Sequence, residues 1–449
     1  MMDEYDDGEE MESKRKGRKS GPTPNETAQR ILEDRRFVED AGGTIYSYDG
    51  DRGHWVAREP ATMLAIIHGY VDWATHSYRA NVVRSIAAAS HDAELQWGRV
   101  ATHEVAVKNG VIDLERMEIR PHRWSDWLDY VIPHEWHSTA ECPVWLAALD
   151  DWVGIDSDKG LAVQEFFGYL LMPHAHYKRA AVFYGEGDTG KTRPLMAMKA
   201  LIGGAATCSL GIEHMDDAVI MAMIKHKRLN MLTELSADAM IRDGGFKTLV
   251  STEEPIPLNA KFKSPEMYIP VAKHVIACNS LPDVNDRTAA TFNRLLIIPF
   301  NNVVPKERQD PDLDEKIAAE VCGLLAWAVD GARRLYQNDG RFTEIGEAQE
   351  IIANYRAEAN PIHDFAGYEL VRDDGSAVPL IDLVKRYNER RYGRQLDARR
   401  MGRMARSAWG KDAVRSHRPG ANLAPVKCLM GWRWREGGGT YPSRGTEPP

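Results

Sequence analysis

The residues from Gly185 to Thr192 read GEGDTGKT and match the pattern G-x-x-x-x-G-K-[ST] at every fixed position. The apolar run AAVFY precedes them, and the helix-capable run PLMAMKALI follows. Between a strand and a helix, such glycines let backbone N–H groups curl around phosphate oxygens, and the start of the helix adds the positive end of its dipole. The pattern therefore predicts a loop that binds the phosphates of a nucleoside triphosphate.

Two side chains of this loop have specific expected tasks. Lys191 should reach the β- and γ-phosphates, and the Thr192 hydroxyl should ligate Mg²⁺. Kinases, GTPases, motors and helicases all use such a loop, so the loop alone does not separate these classes. The remaining expected nucleotide contacts are Gly185, Gly187, Asp188, Thr189 and Gly190.

Four short apolar runs, AAVFYG, RLNMLTEL, HVIACN and RLLIIPF, predict buried strands of a parallel α/β sheet. The second run ends in Glu234, which could polarise water or hold Mg²⁺ through water if its strand neighbours the phosphate loop. The third ends in Asn279, which could orient water near the γ-phosphate. Both residues also have a structural interpretation, as a polar strand end and as a turn residue.

Arg287 and Arg294 lie just before the last apolar run. An arginine at this position has no obvious route to the phosphates bound by its own subunit. It could act in trans on the nucleotide of a neighbouring subunit, as arginine fingers do. This interpretation implies a ring or a filament.

Charge is distributed unevenly along the 449 residues. The formal net charge is −9, yet residues 385–435 contain 15 Lys or Arg and three acids, a local charge of +12. Tyrosines and tryptophans alternate with these cations, which is typical of nucleic-acid binding. The alternative for the whole segment is a solvated arginine-rich face. For its arginine-rich helix, the alternative is packing on acidic neighbours in a ring.

The basic segment also has an internal pattern. PLIDLVKRY predicts one helix, and Asp397 is a plausible N-cap of a second. On that second helix Arg399, Arg403 and Arg406 share a face, while methionines can face a core. AVRSHRPGANLAPVKCLMGWRWR then reads as a hairpin with a Pro-Gly turn, so we expect the second helix to contact DNA.

Taken in order, these motifs resemble those of superfamily 3 helicases, and most closely the poxvirus and phage/plasmid primase-helicase branch. The short matches NGVIDL, CPVW and QEFFGYLL upstream and AEANPIHDF downstream extend the resemblance from about Asn109 to Trp434. The resemblance implies an α/β fold: an AAA+-like P-loop ATPase core with an N-terminal helical domain and a C-terminal winged helix. No counterpart of the fused polymerase domain is recognisable, so the chain looks like the helicase half.

The resemblance also implies residue roles. Glu234 would be the catalytic acid, Asn279 the polar sensor and Arg294 the arginine finger, with Arg287 as second candidate. The segment FKTLVSTEEPIPLNAKFKSP matches one whose lysine–aromatic hairpin binds single-stranded DNA. Its DNA-binding candidates are Lys247 and, at the hairpin tip, Lys261 and Phe262. Thr233 stands where many members carry a second acid.

These features divide the chain into six segments. We expect a charged disordered tail at 1–29, a mainly helical domain at 30–150, the ATPase domain with its lid at 151–345, a linker at 346–375, the winged helix at 376–436 and a disordered tail at 437–449. Within the helical domain, residues 105–122 alternate and turn at Asn109-Gly110, which predicts a β-hairpin.

The sequence therefore predicts an ATP-dependent, ring-forming (hexameric) replicative helicase that translocates on single-stranded DNA and unwinds forked duplex. The resemblance places it in phage, plasmid or mobile-element replication, in a host cytoplasm, with a separate primase or polymerase as partner. One alternative is an ATP-switched replication initiator or helicase loader without unwinding activity. A small-molecule kinase is disfavoured by the basic segment.

Several other classes are excluded or disfavoured. No apolar run is long enough to span a bilayer, and the N-terminus has no apolar signal core. The five cysteines are far apart without a CxxC pair, which excludes a cysteine-based zinc site and disfavours disulfides. His174 and His176 could suggest a metal site, but we expect them to be solvated residues of a polar turn.

Overall fold

The computed structural model describes residues 21–235, 239–241, 243–251, 254–258, 266–284, 289–359, 362–390, 395–418 and 424–435. The chain divides into two compact units. The first unit contains Met1–Trp136 and Pro257–Met267, and the second contains His137–Ile256 and Tyr268–Pro449. None of the helices in these described ranges is long and apolar enough to cross a membrane.

The first unit combines helices with two small antiparallel sheets. Its helices are α1 (Pro24–Asp34), α2 (Pro60–Tyr70) and α3 (His76–Ser90). Its strands are β1 (Phe37–Glu39), β2 (Ile45–Asp49) and β3 (His54–Ala57) in one sheet and β4 (Glu104–Val107), β5 (Gly110–Asp113) and β6 (Glu118–Arg120) in the other. Strands are therefore more frequent here than the sequence indicates.

Helix α1 begins inside the segment expected to be a disordered tail. The Thr23 hydroxyl accepts a hydrogen bond from the Glu26 backbone N–H, and the Glu26 carboxylate accepts one from the Thr23 N–H, which together form a capping box. Ala28 and Ile31 are buried and pack with Met63 and other residues of α2 and α3. Apolar packing of these few residues is enough to order residues 24–29.

The β-hairpin predicted around Asn109-Gly110 is present, with its turn one residue earlier in the chain than predicted. Val107 pairs with Gly110, so Lys108 and Asn109 form the two-residue turn between β4 and β5. The Asn109 side chain bonds the backbone of Trp136 through both of its polar atoms, at 2.9 and 3.0 Å. The turn is thereby tied to the end of the unit.

The second unit is built on a five-stranded sheet in which every neighbouring pair is parallel. All four predicted buried strands belong to it, and the predicted α/β class is confirmed. The strands are β7 (Ala180–Tyr184), β8 (Thr207–Cys208), β9 (Leu229–Leu232), β13 (Lys273–Cys278) and β15 (Leu295–Pro299), in the spatial order β15-β7-β13-β9-β8. The helices before and around the first strands are α4 (Pro143–Val153), α5 (Asp158–Leu171), α6 (Thr192–Ile202), α7 (Ala218–Met221) and α8 (Asp243–Ser251).

Shorter elements fill the connections between these strands. Strand β10 (Met240–Ile241) pairs with β14 (Asp283–Val284). Strand β11 (Ile256–Leu258) pairs with β12 (Glu266–Tyr268), and most residues of this pair belong to the first unit. A one-turn helix, α9 (Ala289–Phe292), precedes β15. Three helices follow β15: α10 (Leu313–Ala319), α11 (Val321–Gln337) and α12 (Gly346–Ala359).

The C-terminal part of the second unit has its own apolar core. Its elements are α13 (Ile362–Glu369), β16 (Leu370–Pro379), α14 (Leu380–Arg390), α15 (Ala398–Trp409), β17 (Val414–His417) and β18 (Val426–Trp434). The three strands form an antiparallel sheet in the order β16-β18-β17. The two helices and the hairpin that the sequence indicates are present, and the expected linker contains α12, α13 and the start of β16.

Candidate nucleotide-binding site

The predicted phosphate-binding loop lies between β7 and α6, as its sequence context requires. A Cβ atom on Gly185 would lie 2.0 Å from the carbonyl oxygen of Phe300. A Cβ on Gly190, whose φ is +80°, would lie 2.4 Å from Nε1 of Trp152. The chain therefore approaches its neighbours closely at two fixed glycines, and only glycine fits there.

Lys191 is almost fully buried at the start of α6. Its Nζ donates to the carbonyl oxygen of Glu186 and to Oγ1 of Thr189, the second contact at 3.2 Å. The Thr189 hydroxyl also donates to the Glu186 carbonyl, at 2.9 Å. Burial lowers the pKa of Lys191, although nearby Asp188 and Cys278 oppose the shift. The ammonium group is thus held against the loop backbone, where phosphate oxygens would compensate its desolvation.

Residues after β15 brace the loop from outside. The N–H of Val304 donates to the carbonyl of Asp188 at 3.0 Å. Arg308 binds both carboxylate oxygens of Asp151 at 2.6 and 2.7 Å. Arg193, directly after Thr192, donates to Asp314 of α10 at 2.6 Å. Sequence reasoning missed these braces, because no local pattern signals pairs separated by more than 100 residues.

The predicted polar residues Asn279 and Glu234 follow the carboxyl ends of parallel strands, on the same side of the sheet as the loop. Asn279 follows β13, the direct neighbour of β7, and is exposed. Glu234 follows β9 and is also exposed. Strand β13, which comes later in the chain than β7 and β9, lies between them in the sheet. The strand of Glu234 is therefore not the direct neighbour of the loop strand.

Arg294 lies at the amino ends of the strands of the same sheet, opposite the carboxyl ends that border the loop. Its carbonyl accepts a hydrogen bond from the N–H of Ala180, the first residue of β7, at 2.8 Å. Its Nε donates to the Ser251 hydroxyl at 2.6 Å, and its Nη1 to the Ala290 carbonyl at 2.7 Å. Arg294 therefore lies at the amino ends of the strands, whereas Lys191 follows the carboxyl end of β7.

The other predicted finger and the hairpin tip lie outside the described residues. These are Arg287, Lys261 and Phe262. Lys247 lies in α8 and is half-buried.

Helix α15 carries the predicted basic face. The Asp397 carboxylate accepts from the N–H of Arg400 at 2.6 Å, which confirms the predicted N-cap. Met401, Met404 and Ala405 are buried in the C-terminal core, as expected from the pattern. Arg399 and Arg406 are exposed, and the side chain of Arg403 lies outside the described part of the chain.

The histidines considered for a metal site differ from the expectation. His174 is buried rather than solvated, and its ring stacks on that of exposed His176 at 4.4 Å. Among the described residues, the group of His, Cys, Asp and Glu atoms close enough to hold a metal is instead His103, Asp113 and Glu115, whose ligand atoms lie within 4.8 Å of one another.

Two family models match the chain. "D5 N terminal like" covers residues 28–154, and "Family of unknown function (DUF5906)" covers residues 183–294, which include the phosphate-binding loop. A curated relative is "Putative helicase 184R" of Invertebrate iridescent virus 6, which is 22% identical over 332 residues. That match spans 62% of this chain and 33% of the viral protein.

Solved structures show the same fold. The A form apo structure of the C-terminal region of NrS-1 matches with a TM-score of 0.52 and 12% identity, and covers 91% of this chain and 100% of that one. A second A form structure of this region gives a TM-score of 0.51 at 11% identity, with the same coverage. Together, the family matches and this fold confirm the resemblance to the primase-helicase branch of superfamily 3.

Proposed function

We propose that this chain is an ATP-dependent DNA helicase that works as a ring, with six subunits as in the family it resembles. The observation that carries the proposal is the position of Lys191 and Arg294 at opposite strand ends of one parallel sheet. A subunit built in this way binds nucleotide on the side of the carboxyl ends and presents an arginine on the side of the amino ends. Stacking such subunits head to tail would complete each nucleotide site between two of them.

ATP would bind with its phosphates on the loop from Gly185 to Thr192. In this proposal Lys191 exchanges its bond to the Glu186 carbonyl for bonds to the β- and γ-phosphates. The hydroxyl of Thr192 and the carboxylate of Glu234 are exposed oxygen donors, which suit Mg²⁺. The cation would neutralise charge on the phosphates as the γ-phosphoryl group passes to water and ADP leaves.

Hydrolysis also needs a positioned water. Asn279 lies beside the loop at the end of the adjacent strand, so its amide is the first candidate to orient that water. Glu234 is one strand further away and would polarise the water or bind Mg²⁺ through a water molecule. Arg294 of a neighbouring subunit, or Arg287 as second candidate, would stabilise the developing charge.

Single-stranded DNA would bind in the centre of the ring. Strands β11 and β12 flank residues 259–265, which carry the predicted tip residues Lys261 and Phe262. A lysine there would pair with phosphate, and an aromatic ring would stack on bases. Lys247 on α8 is a further candidate contact. Nucleotide-driven movement of this hairpin would move the strand through the ring.

The C-terminal part from about residue 376 would act as a winged helix on DNA. Its order of helices and its antiparallel sheet support this assignment, and α15 presents exposed Arg399 and Arg406. The preceding segments would be an N-terminal domain from about residue 30 and an ATPase domain with a lid from about residue 151. A replication system of phage, plasmid or mobile-element type, with a separate primase or polymerase, is the proposed setting.

Unwinding of a forked duplex tests the helicase proposal against its alternative. In an ATP-switched initiator or loader, the same ATPase would control assembly without moving along DNA. Replacing both Lys261 and Phe262 by alanine should abolish unwinding by a helicase. If the protein is an initiator, the double alanine variant should keep origin binding and assembly. In that case the wild-type protein should show no unwinding either. Hydrolysis that is indifferent to DNA would instead favour a small-molecule kinase.

A further inference from the structure

Two arginine–tryptophan stacks lie side by side in the first unit. The guanidinium of Arg36 lies 4.1 Å from the ring centroid of Trp124, and that of Arg99 lies 5.4 Å from the ring centroid of Trp127. The two indole rings contact each other edge to face at 6.3 Å. Trp124 is 41% exposed, and both arginines are exposed. The stacks therefore form one continuous aromatic and cationic surface.

The cations of this surface lack acidic partners within the described residues. Arg36, Arg99 and Arg123 form no ion pair there, whereas Arg52 of the same unit pairs with Asp49. An anion that reached this surface would find charge that is not already neutralised.

The backbone under the surface is fixed. Trp127 has a φ of +48°, an unfavourable conformation for a bulky residue that persists only where its surroundings enforce it. Its carbonyl accepts from the N–H of Gly98 at 2.8 Å, and the Trp124 carbonyl accepts from Nε1 of Trp55 at 3.0 Å. Asp126, between the two tryptophans, is held by Arg120 at 2.9 and 3.2 Å. The rings are therefore presented from a rigid base.

We propose that these residues form a second binding site for single-stranded DNA, separate from the ring channel and from the basic C-terminal part. The site, called the Trp124 surface, consists of Arg36, Arg99, Arg123, Trp124 and Trp127. The exposed indole of Trp124 offers a face on which an unpaired base can stack, whereas Trp127 is itself stacked on Trp55, with ring centroids 4.7 Å apart, and supports Trp124. Arginines bind phosphates and stack on bases themselves. A duplex hides its base faces, so the surface favours a single strand. The inference rests on the proposed function in taking DNA as the substrate.

Binding of a fluorescent oligothymidylate to the full chain, measured by anisotropy without nucleotide, tests this site. Replacing both Trp124 and Arg36 by alanine should weaken binding by about 5- to 150-fold, the range expected for loss of one stacked base. Arg36→Glu, which keeps the indole, should also weaken binding. Trp73→Ala is the matched control, because Trp73 is 57% exposed in the same unit but lies outside the Trp124 surface. Its affinity should equal that of wild type.

Equal affinities of the double variant, Arg36→Glu and wild type for oligothymidylate would overturn the inference. It would also be overturned if the double substitution weakened the binding of blunt duplex more than that of oligothymidylate. In those cases DNA-stimulated hydrolysis by the same wild-type protein would leave the proposed function intact. The reverse result, Trp124-dependent DNA binding without unwinding or stimulated hydrolysis, would support this site and contradict the helicase. Thermal unfolding of each variant establishes that a lost affinity is not a lost fold.

Discussion

Lys191 and Arg294 lie at opposite ends of two hydrogen-bonded, parallel strands, Lys191 beyond their carboxyl ends and Arg294 before their amino ends. Lys191 follows the carboxyl end of β7, and Arg294 precedes β15, whose first residue pairs with the first residue of β7. The five residues of β7 span roughly 16 Å, at about 3.3 Å per residue, and this length separates the two ends of the strand. This geometry underlies the proposal that the catalytic arginine comes from a neighbouring subunit.

Complementation between two inactive variants tests that relationship. Arg294→Ala should lower ATP hydrolysis by about 10³- to 10⁵-fold, the usual effect of losing a finger. In a mixture with Lys191→Ala subunits, an intact loop of one variant can face an intact arginine of the other. At equal amounts about one interface in four should recover, so hydrolysis should return to roughly a quarter of the wild-type rate.

Ser251→Ala provides the control for this experiment. It removes the hydroxyl that binds Nε of Arg294 within the same chain but keeps the guanidinium charge, so most activity should remain. A mixture that forms mixed rings but stays inactive would contradict action in trans.

A close helix contact predicts a stability effect. Helices α5 and α11 meet at Gly168 and Gly331, where a Cβ on Gly331 would lie 2.1 Å from the Gln164 carbonyl oxygen. Gly331→Ala should therefore destabilise the second unit by about 1–3 kcal/mol, despite the better helix propensity of alanine.

The matched control is Gly367→Ala, at an exposed helical position with no atom within 4 Å of the added Cβ. Thermal unfolding should show a lower midpoint for Gly331→Ala and an unchanged or slightly higher one for Gly367→Ala. A wild-type midpoint for Gly331→Ala would show that the helices separate easily.

A buried histidine predicts a pH dependence of stability. His274 lies in β13, with its Nδ1 3.2 Å from Nδ2 of Asn230, and burial lowers its pKa to about 4. An unfolded histidine titrates near 6.5, so between these values the unfolded chain binds more protons than the folded chain. Stability should therefore fall as the pH is lowered from about 6.5 towards 4, by up to about 3 kcal/mol.

Unfolding by denaturant at pH 7.5 and pH 5 measures this loss. His274→Gln should show a smaller difference between the two pH values, because it removes the group that must be deprotonated in the fold. His76→Gln, at an exposed histidine of the first unit, should retain the wild-type difference. An unchanged difference in His274→Gln would assign the acid sensitivity to other groups.

The sequence predicts local features well and spatial order less well. The phosphate-binding loop, the N-cap at Asp397 and the β4–β5 hairpin are recognisable because each depends on residues close together in the chain. The insertion of β13 between β7 and β9 depends on how strands pair, which no local pattern encodes. The sequence therefore does not show that the strand of Glu234 is one strand removed from the loop strand.

The same limit explains what was missed in the first unit. Strands β1 to β3 have three to five residues, too few for an alternating pattern to stand out. The tryptophans are visible in the sequence as scattered single residues. Their assembly with Arg36 and Arg99 is evident only when segments about 25–90 residues apart in the chain come together.

The basic face of α15 makes a prediction about salt dependence. If Arg399 and Arg406 each neutralise a phosphate, Arg399→Ala and Arg406→Ala should each weaken duplex binding and reduce the slope of log affinity against log salt by about 0.9. Lys385→Ala, at an exposed position of the adjacent helix α14, should change neither quantity to the same extent. Equal slopes for all proteins would favour the alternative that this face packs against protein.

The central claim is tested most directly by ATP hydrolysis with and without single-stranded DNA. Wild type, Lys191→Ala and Lys199→Ala are compared, since Lys199 is an exposed lysine at the other end of α6. We expect hydrolysis that single-stranded DNA stimulates in wild type and in Lys199→Ala, and that Lys191→Ala abolishes. Hydrolysis by wild type at the same rate with and without DNA, or hydrolysis that survives Lys191→Ala, would contradict a DNA-driven motor at this site.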